Sequence, residues 1–249
     1  MDRALIWAAG GTLFLLLMTT LGAATVFLFS LEPRARLRRW LLGFAAGVMT
    51  AASVWSLLLP AMERAAGLGL PPWLPAGAGL AAGALFLWAL DAWLPRLRRP
   101  EGQISRETAL LVTAITLHNI PEGMAVGLSC ALAAESGIFA PAAALALGIG
   151  VQNFPEGAAV SLPLRQEGLS RRRAFGIAAL SGAVEPVFGI AVVAVAGAAD
   201  LCMPWLLAFA AGAMLYVTAE ELLPQAQGGG SRGYLAGFLL MMLLDTALG

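Results

Sequence analysis

The chain of 249 residues has no lysine, one histidine, two cysteines and two tyrosines, and only 12% of its residues are charged. Each scarcity excludes a class of chemistry. Without lysine there is no Gly-rich phosphate loop closed by Lys-Ser/Thr, which argues against an ATP-driven pump. A single histidine cannot supply the His-Glu-x-x-His pair of a hydrolytic zinc site, which ordinarily needs three protein ligands and an open position. Cys130 and Cys202 lie in apolar surroundings with no Cys or His beside them, so neither a disulfide nor a thiolate cluster is expected. Soluble domains carry about one quarter charged residues. Little of this chain is therefore available for a separate soluble activity. Its 15 basic and 15 acidic residues cancel; that balance identifies no partner, and nucleic acid is not expected to be one.

What the chain does have is long apolar sequence: 59% of its residues are hydrophobic and its mean hydropathy is +0.81. A helix that crosses the hydrocarbon needs about 20 predominantly apolar residues. Such stretches fall at 4–30, 41–62, 73–94, 108–132, 139–163, 174–198, 204–223 and 233–248. Glu220 and Glu221 are expected to interrupt the seventh, and the eighth is short. The first stretch, Ala4 to Leu31, is too long for a signal-peptide core and reads as a span.

The arginines orient the spans. Arg34, Arg36, Arg38 and Arg39 fall between spans one and two; Arg96, Arg98, Arg99 and Arg106 between three and four; Arg165, Arg171, Arg172 and Arg173 between five and six; Arg232 between seven and eight. Only Arg64 falls in an even-to-odd connection, and Arg3 is at the N-terminus. Because cytoplasmic loops collect Lys and Arg, the pattern predicts an all-α integral membrane protein with eight transmembrane helices and both termini extracytoplasmic. One domain is expected over residues 1–249.

Polar residues interrupt two of these spans. Leu-His-Asn-Ile-Pro-Glu-Gly occupies 117–123 and Val-Gln-Asn-Phe-Pro-Glu-Gly 151–157, 34 residues apart; over 117–128 and 151–162, 7 of 12 aligned residues are identical. Spans four and five run in opposite directions, so the repeated motif predicts an inverted-repeat helix bundle with its site at mid-membrane. His118 and Glu122 are i,i+4 neighbours on one helical face, and Gln152 and Glu156 repeat the spacing. Asn119 and Asn153 stand three residues before the glutamates. Pro121 and Pro155 cannot donate to the carbonyls of Leu117 and Val151, which frees two more oxygens. Glu185, followed by Pro186, adds a third carboxylate in span six.

A lone Asn or His in a span serves equally well as a hydrogen-bonded link between helices. Glu122, Glu156 and Glu185 are harder to explain in that way. A charge at the bilayer centre costs about 2.5–3.5 kcal/mol or more, and no arginine lies in any central span region to offset it. A proton or a bound cation is left. Three carboxylates, one imidazole and several amide oxygens form a mixed O/N set, suited to zinc, cadmium, iron(II) or manganese rather than copper(I).

These residues resemble the ZIP (Zrt/Irt-like) family of metal transporters, particularly its bacterial, GufA-like branch. The resemblance extends over the whole chain: eight spans, outward termini, His-Asn-x-Pro-Glu-Gly in span four and an amide-led Pro-Glu-Gly motif in span five. It implies that His118, Asn119, Glu122, Gln152, Asn153, Glu156 and Glu185 line a metal site with room for two ions. Glu122 and Glu156 would bridge; His118 would complete one site, and Asn119, Gln152 and Glu185 the other. It further implies uptake toward the cytoplasm of zinc, with cadmium, iron or manganese as further substrates, and no prosthetic group. The expected setting is a bacterial plasma (inner) membrane, with lipid and a homodimer as partners.

Two departures bear on that picture. Many relatives carry an acid or imidazole in span five, where this chain has Gln152 and Asn153. Three carboxylates then face the four charges of two divalent ions, so the second ion is expected to bind weakly or not at all, with broad selectivity. Residues 95–107 carry arginines and no histidine, so a metal-sensing loop between spans three and four is not expected. Asp91 and the pair Glu220/Glu221, near the predicted cytoplasmic ends of spans three and seven, are either an exit relay or helix ends in water. The alternatives are a proton-coupled carrier of another solute, with Glu122 and Glu156 as relays, and, less favoured, an intramembrane metalloenzyme. A channel with the same ligands would share every motif.

Overall fold

The computed structural model describes residues 2–28, 35–97, 104–196 and 200–248, and its regular elements are all helices. In chain order they are α1 (Asp2–Leu28), α2 (Ala35–Ala52), α3 (Leu59–Gly67), α4 (Trp73–Leu97), α5 (Arg106–Ser136), α6 (Ala140–Gln166), α7 (Arg171–Gly182), α8 (Val184–Ala196), α9 (Met203–Val217), α10 (Leu223–Ala226) and α11 (Ser231–Leu248). A π-helical stretch, Ser53–Leu58, joins α2 to α3, and another, Thr218–Leu222, joins α9 to α10. With α7 and α8 separated by one turn residue, Ala183, the described residues form eight helical runs in place of the eight expected spans. Arg34, Arg98 and Arg99, and the ends of the first and sixth expected spans, lie outside the described residues.

Five of the eight runs are long and apolar enough to cross a membrane by length and composition alone. Of the other three, α5 and α6 carry the two motifs, and α11 carries Arg232 and Asp245. In the seventh run the expected interruption at Glu220 and Glu221 does not occur. The helix widens there, with Leu223 N–H donating to the Thr218 carbonyl five residues back, and continues to Ala226. Leu59 bonds to Val54 in the same manner in the second run. Each widened turn immediately precedes a proline, Pro60 or Pro224. Proline has no N–H for the i−4 carbonyl, so the ladder relaxes where the bond is lost.

Helix ends follow local chemistry. Ser105 accepts from Thr108 N–H at the start of α5, and Ser170 from Arg173 N–H at the start of α7. Gly137, with φ of +76°, closes α5 by donating to the Ala133 carbonyl. Glu167, just past α6, fastens this end of the bundle: it accepts from Thr108 Oγ1 at 2.6 Å, from Ser105 N–H at 2.8 Å and from the Ser105 hydroxyl. At the opposite end Arg64, in α3, pairs with Glu135, in α5, at 2.8 Å.

Glycine lets the helices meet backbone to backbone. A methyl at Gly22 would overlap the Phe154 carbonyl, and one at Gly157 the Thr19 carbonyl, so α1 and α6 lie in direct contact. Gly123 and Gly127 meet Glu185 and Gly189 on α8; Gly43 and Gly47 meet Gly230 and Tyr234; Gly79 and Gly83 meet Ala208 and Phe209 on α9. Without a hydrophobic force between helices in lipid, such small-residue contacts hold a bundle together. The most extensive pairings sort the runs into two groups. In one, α1 and α5 to α8 pack together; in the other α2 pairs with α11 and α4 with α9. All seven candidate ligands belong to the first group. Trp73, Leu85, Phe86, Trp88 and Trp93 on α4 project outward, as expected of a lipid-facing helix.

Gly157→Ala should lower the thermal midpoint of purified protein in detergent, because overpacking a close contact costs about 1–3 kcal/mol. Gly67→Ala, where a Cβ meets nothing within 4 Å, should leave the midpoint unchanged. Glu167 gives a pH test. Slight burial would raise its carboxyl pKa, but the hydrogen bonds from Ser105 and Thr108 outweigh that and hold it below its usual range. A lowered folded value means the clasp stabilises above the ordinary carboxyl range, about 4, and is lost as the pH falls through the folded value. The melting difference between wild type and Glu167→Ala should therefore be present at neutral pH and shrink on acidification.

Candidate metal centre

Two apolar clusters bracket a polar layer. One holds Leu15, Leu117, Ile120, Ile149 and Val192 among many others; the second holds Ala23, Ile115, Val160, Ala174 and Ala178. Four runs carry members of both clusters, and each places polar residues between them or next to the change of cluster: Thr19 on α1, His118–Glu122 just past it on α5, Gln152–Glu156 on α6, and Ser181–Glu185 at the α7–α8 junction. His118, Asn119, Glu122, Gln152, Asn153, Glu156 and Glu185 are each 6% exposed or less. The structure thus brings all seven expected residues into one buried layer.

The junction between α7 and α8 explains two of the contacts. Pro186 has no N–H for the Gly182 carbonyl, and the turn at Ala183 breaks the ladder just before it. The Ser181 carbonyl accepts from Asn119 Nδ2 at 2.9 Å. Glu185 falls in the first turn of α8, where unpaired N–H groups and the helix dipole favour a carboxylate.

The side-chain amides divide their two functions. Gln152 Nε2 donates to Glu122 Oε1 at 2.6 Å, and Asn153 Nδ2 donates to Glu185 Oε1, also at 2.6 Å. Their own oxygens have no partner. Among the described residues, Asn119 Oδ1, Glu122 Oε2, Gln152 Oε1, Asn153 Oδ1, Glu185 Oε2 and both oxygens of Glu156 are buried without a hydrogen-bond donor. Every one of these atoms is an acceptor. Leaving a buried polar atom unpaired costs about 1–3 kcal/mol, and more when it is charged, so such a concentration needs an explanation. A cation answers all of them at once. Among the described residues no three His, Cys, Asp or Glu side chains converge closely enough to hold an ion unaided, so an ion held in this layer would need the amide oxygens between the carboxylates as further ligands.

The expected relay is partly joined to this layer. Glu221 Oε2 lies 3.8 Å from His118 Nδ1, beyond hydrogen-bond distance. Glu221 is in turn within electrostatic reach of Asp91 and Glu220, and Tyr216 of all three. Asp91 and Glu220 are exposed, so these acids lie between the buried imidazole and the protein surface. Asp245, which sequence left without a role, accepts from Ser56 Oγ at 2.7 Å. Sequence reasoning also missed Thr19 and Ser181. A recurring spacing could have pointed to Asp245: Gly79, Gly83 and Asp91 on α4 repeat as Gly233, Gly237 and Asp245 on α11.

Comparison with known proteins accords with this chemistry. The family model described as ZIP zinc transporter matches residues 98–245. Zinc transporter ZIP11 of Homo sapiens is 37% identical, with 96% of each chain covered. Zinc transporter GufA of Myxococcus xanthus is 40% identical over 78% of this chain and 81% of its own. Zinc transporter ZIPB of Bordetella bronchiseptica is 40% identical over 86% and 73%.

Glu156→Gln separates a burden on the fold from a gain on binding. The amide removes an unpaired buried charge and supplies N–H donors to the neighbouring oxygens. In chelator-containing buffer it should raise the thermal midpoint, by on the order of 1–3 kcal/mol. Added zinc stabilises whatever binds it, by about 2.7 kcal/mol at a hundred times Kd; that rise should be present in the wild type and much reduced in the variant.

Proposed function

The chain belongs to the ZIP zinc transporter family, and from that premise we propose that it carries divalent transition-metal ions across a bacterial inner membrane toward the cytoplasm. The ion passes through the layer formed by His118–Glu122 and Gln152–Glu156 with Glu185. The observation that carries this reading is the set of seven buried acceptor oxygens with no donor. An ion entering from water must exchange its hydration shell for fixed ligands, and these oxygens are fixed by the helices that bear them. Carboxylate, amide and imidazole ligands without thiolate favour zinc, with cadmium, iron(II) and manganese as further substrates.

Release toward the cytoplasm follows the acids of span seven. His118 passes the ion to Glu221, 3.8 Å away, and Asp91 and Glu220 carry it to the surface. The relay hypothesis predicts that Glu221→Gln lowers the maximal rate more than it changes KM.

The orientation rests on charge and on contact. Thirteen of the 15 arginines, counted over the four odd-to-even connections, would be cytoplasmic. Arg64 and Glu135, from two even-to-odd connections, meet each other, and Ser105 and Glu167, from two odd-to-even connections, do the same. Both pairings agree with termini on the outer side. The inverted repeat is supported by matched pairs. Spans four and five dock the glycine after their motif glutamate on spans six and one respectively; spans two and seven each widen before a Leu-Pro step; spans three and eight share the Gly-x3-Gly-x7-Asp spacing. Spans one to three would thus answer to six to eight, with four answering to five.

Reconstituted in proteoliposomes, the protein should take up radiolabelled zinc saturably, and Glu122→Ala or Glu156→Ala should abolish the flux. Wild-type flux in both variants would reject their role as ligands. A voltage and pH series on the same vesicles separates carrier from channel, and proton-coupled from uncoupled movement.

A further inference from the structure

We propose that Thr19, on the first span, is a positioning residue of the ion site that holds Glu185 through its hydroxyl; the proposal rests on transport through that site. Thr19 is 1% exposed and stands between Leu15 of one apolar cluster and Ala23 of the other, in the apolar stretch of α1 that no motif marks. Its Oγ1 lies 3.2 Å from the Leu15 carbonyl and 3.5 Å from Glu185 Oε1. One hydroxyl proton faces two acceptors. When it goes to Leu15 the Thr19 oxygen presents lone pairs to the layer; when it goes to Glu185 it steadies the carboxylate beside Asn153, which donates to the same oxygen. Rotation of a single hydroxyl thus adjusts how Glu185 Oε1 is held, while Oε2 stays without a donor among the described residues.

The packing fixes this hydroxyl. The Thr19 carbonyl sits where a methyl on Gly157 would go, and a methyl on Gly182 would meet Thr19 Cβ and Cγ2 at 3.0 Å and Oγ1 at 3.2 Å. Thr19 is therefore wedged between the residue after Glu156 and the residue three before Glu185. The Glu185 carbonyl occupies the matching place against Gly123, the residue after Glu122. Thr19 and Glu185 thus stand at equivalent docking points on the two motif helices, one neutral and one anionic. The layer is lopsided in charge as a consequence, and span one contributes a hydroxyl where span six contributes a carboxylate.

The test compares Thr19→Val, which keeps the branched shape without the hydroxyl, with Thr19→Ser, which keeps the hydroxyl without the methyl. Zinc uptake by the full chain in proteoliposomes is measured over a concentration series, with manganese as competitor. Thr19→Val should raise KM for zinc about three- to tenfold, the worth of one hydrogen bond, and shift the zinc-to-manganese preference, while Thr19→Ser behaves as wild type. Wild-type KM and preference in Thr19→Val, or impairment of Thr19→Ser alone, would overturn the proposal and leave a packing role. If Thr19→Val fails to fold, Thr19→Ala against Thr19→Ser asks the same question with nothing larger than the natural side chain. Zinc-independent behaviour of the wild type itself would instead overturn the transport reading, and this proposal with it.

Discussion

Buried negative charge without a protein countercharge is the constraint around which this molecule is organised. Glu122, Glu156 and Glu185 lie within electrostatic reach of one another, in a chain that has no lysine and whose arginines cluster toward the helix ends. At this depth the cost is several kcal/mol per charge, and replacement by apolar residues would be neutral or stabilising if stability were all that mattered. Partial compensation comes from fixed dipoles: two amide N–H groups and the first turn of α8. None of these reaches Glu156, whose two oxygens have no donor. In the proposed site the remaining deficit would be the affinity available to an ion.

The rest of the fold serves to keep those oxygens in place. Glycines beside both motif glutamates bring α5 against α8 and α6 against α1 at backbone contact, so the carboxylates rest on helices rather than on loops. Close backbone packing leaves little room for the ligands to drift, which matters because an ion site tolerates errors of only about 0.5 Å. The helices of the second group lend the site fewer groups. Their contribution is Glu221, which approaches His118 from a π-widened turn, a geometry common where a helix bends to function. On the proposed route, ligands on one group and a receiving acid on the other would give the two groups separate parts in moving an ion.

Much of this was legible in the chain, for a physical reason. Carboxylates in the middle of apolar spans have no structural use, so Glu122, Glu156 and Glu185 stand out against their surroundings, and their i,i+3 and i,i+4 neighbours follow from helical geometry. The eight helical runs were readable from their apolar lengths on the same grounds. Thr19 was not, because a threonine that returns its hydroxyl to the carbonyl four residues back is an ordinary resident of an apolar helix. Ser181 acts through its carbonyl, which every residue possesses. The continuity of the seventh run was misread since two adjacent glutamates look like a helix end, whereas Pro224 only shifts the hydrogen-bond ladder. The approach of Glu221 to His118 joins residues 103 positions apart, beyond any local pattern.

The two amides of span five show how affinity and release are balanced. An acid at Gln152 or Asn153 would bind a dication more strongly, but it would add a fourth or fifth buried charge to be endured whenever no ion is present. An amide supplies a neutral oxygen to the ion and, from the same group, an N–H to the neighbouring carboxylate. Gln152 and Asn153 do this for Glu122 and Glu185 at 2.6 Å. Each therefore lowers the cost of the ion-free layer, and in the proposed site it would also serve as a ligand of the ion-bound one, which would narrow the difference between the two states. A transporter needs a small difference, because an ion held too firmly cannot leave. In the proposed site, an amide in place of an acid on one motif, with the glutamate kept on both, would favour turnover over grip.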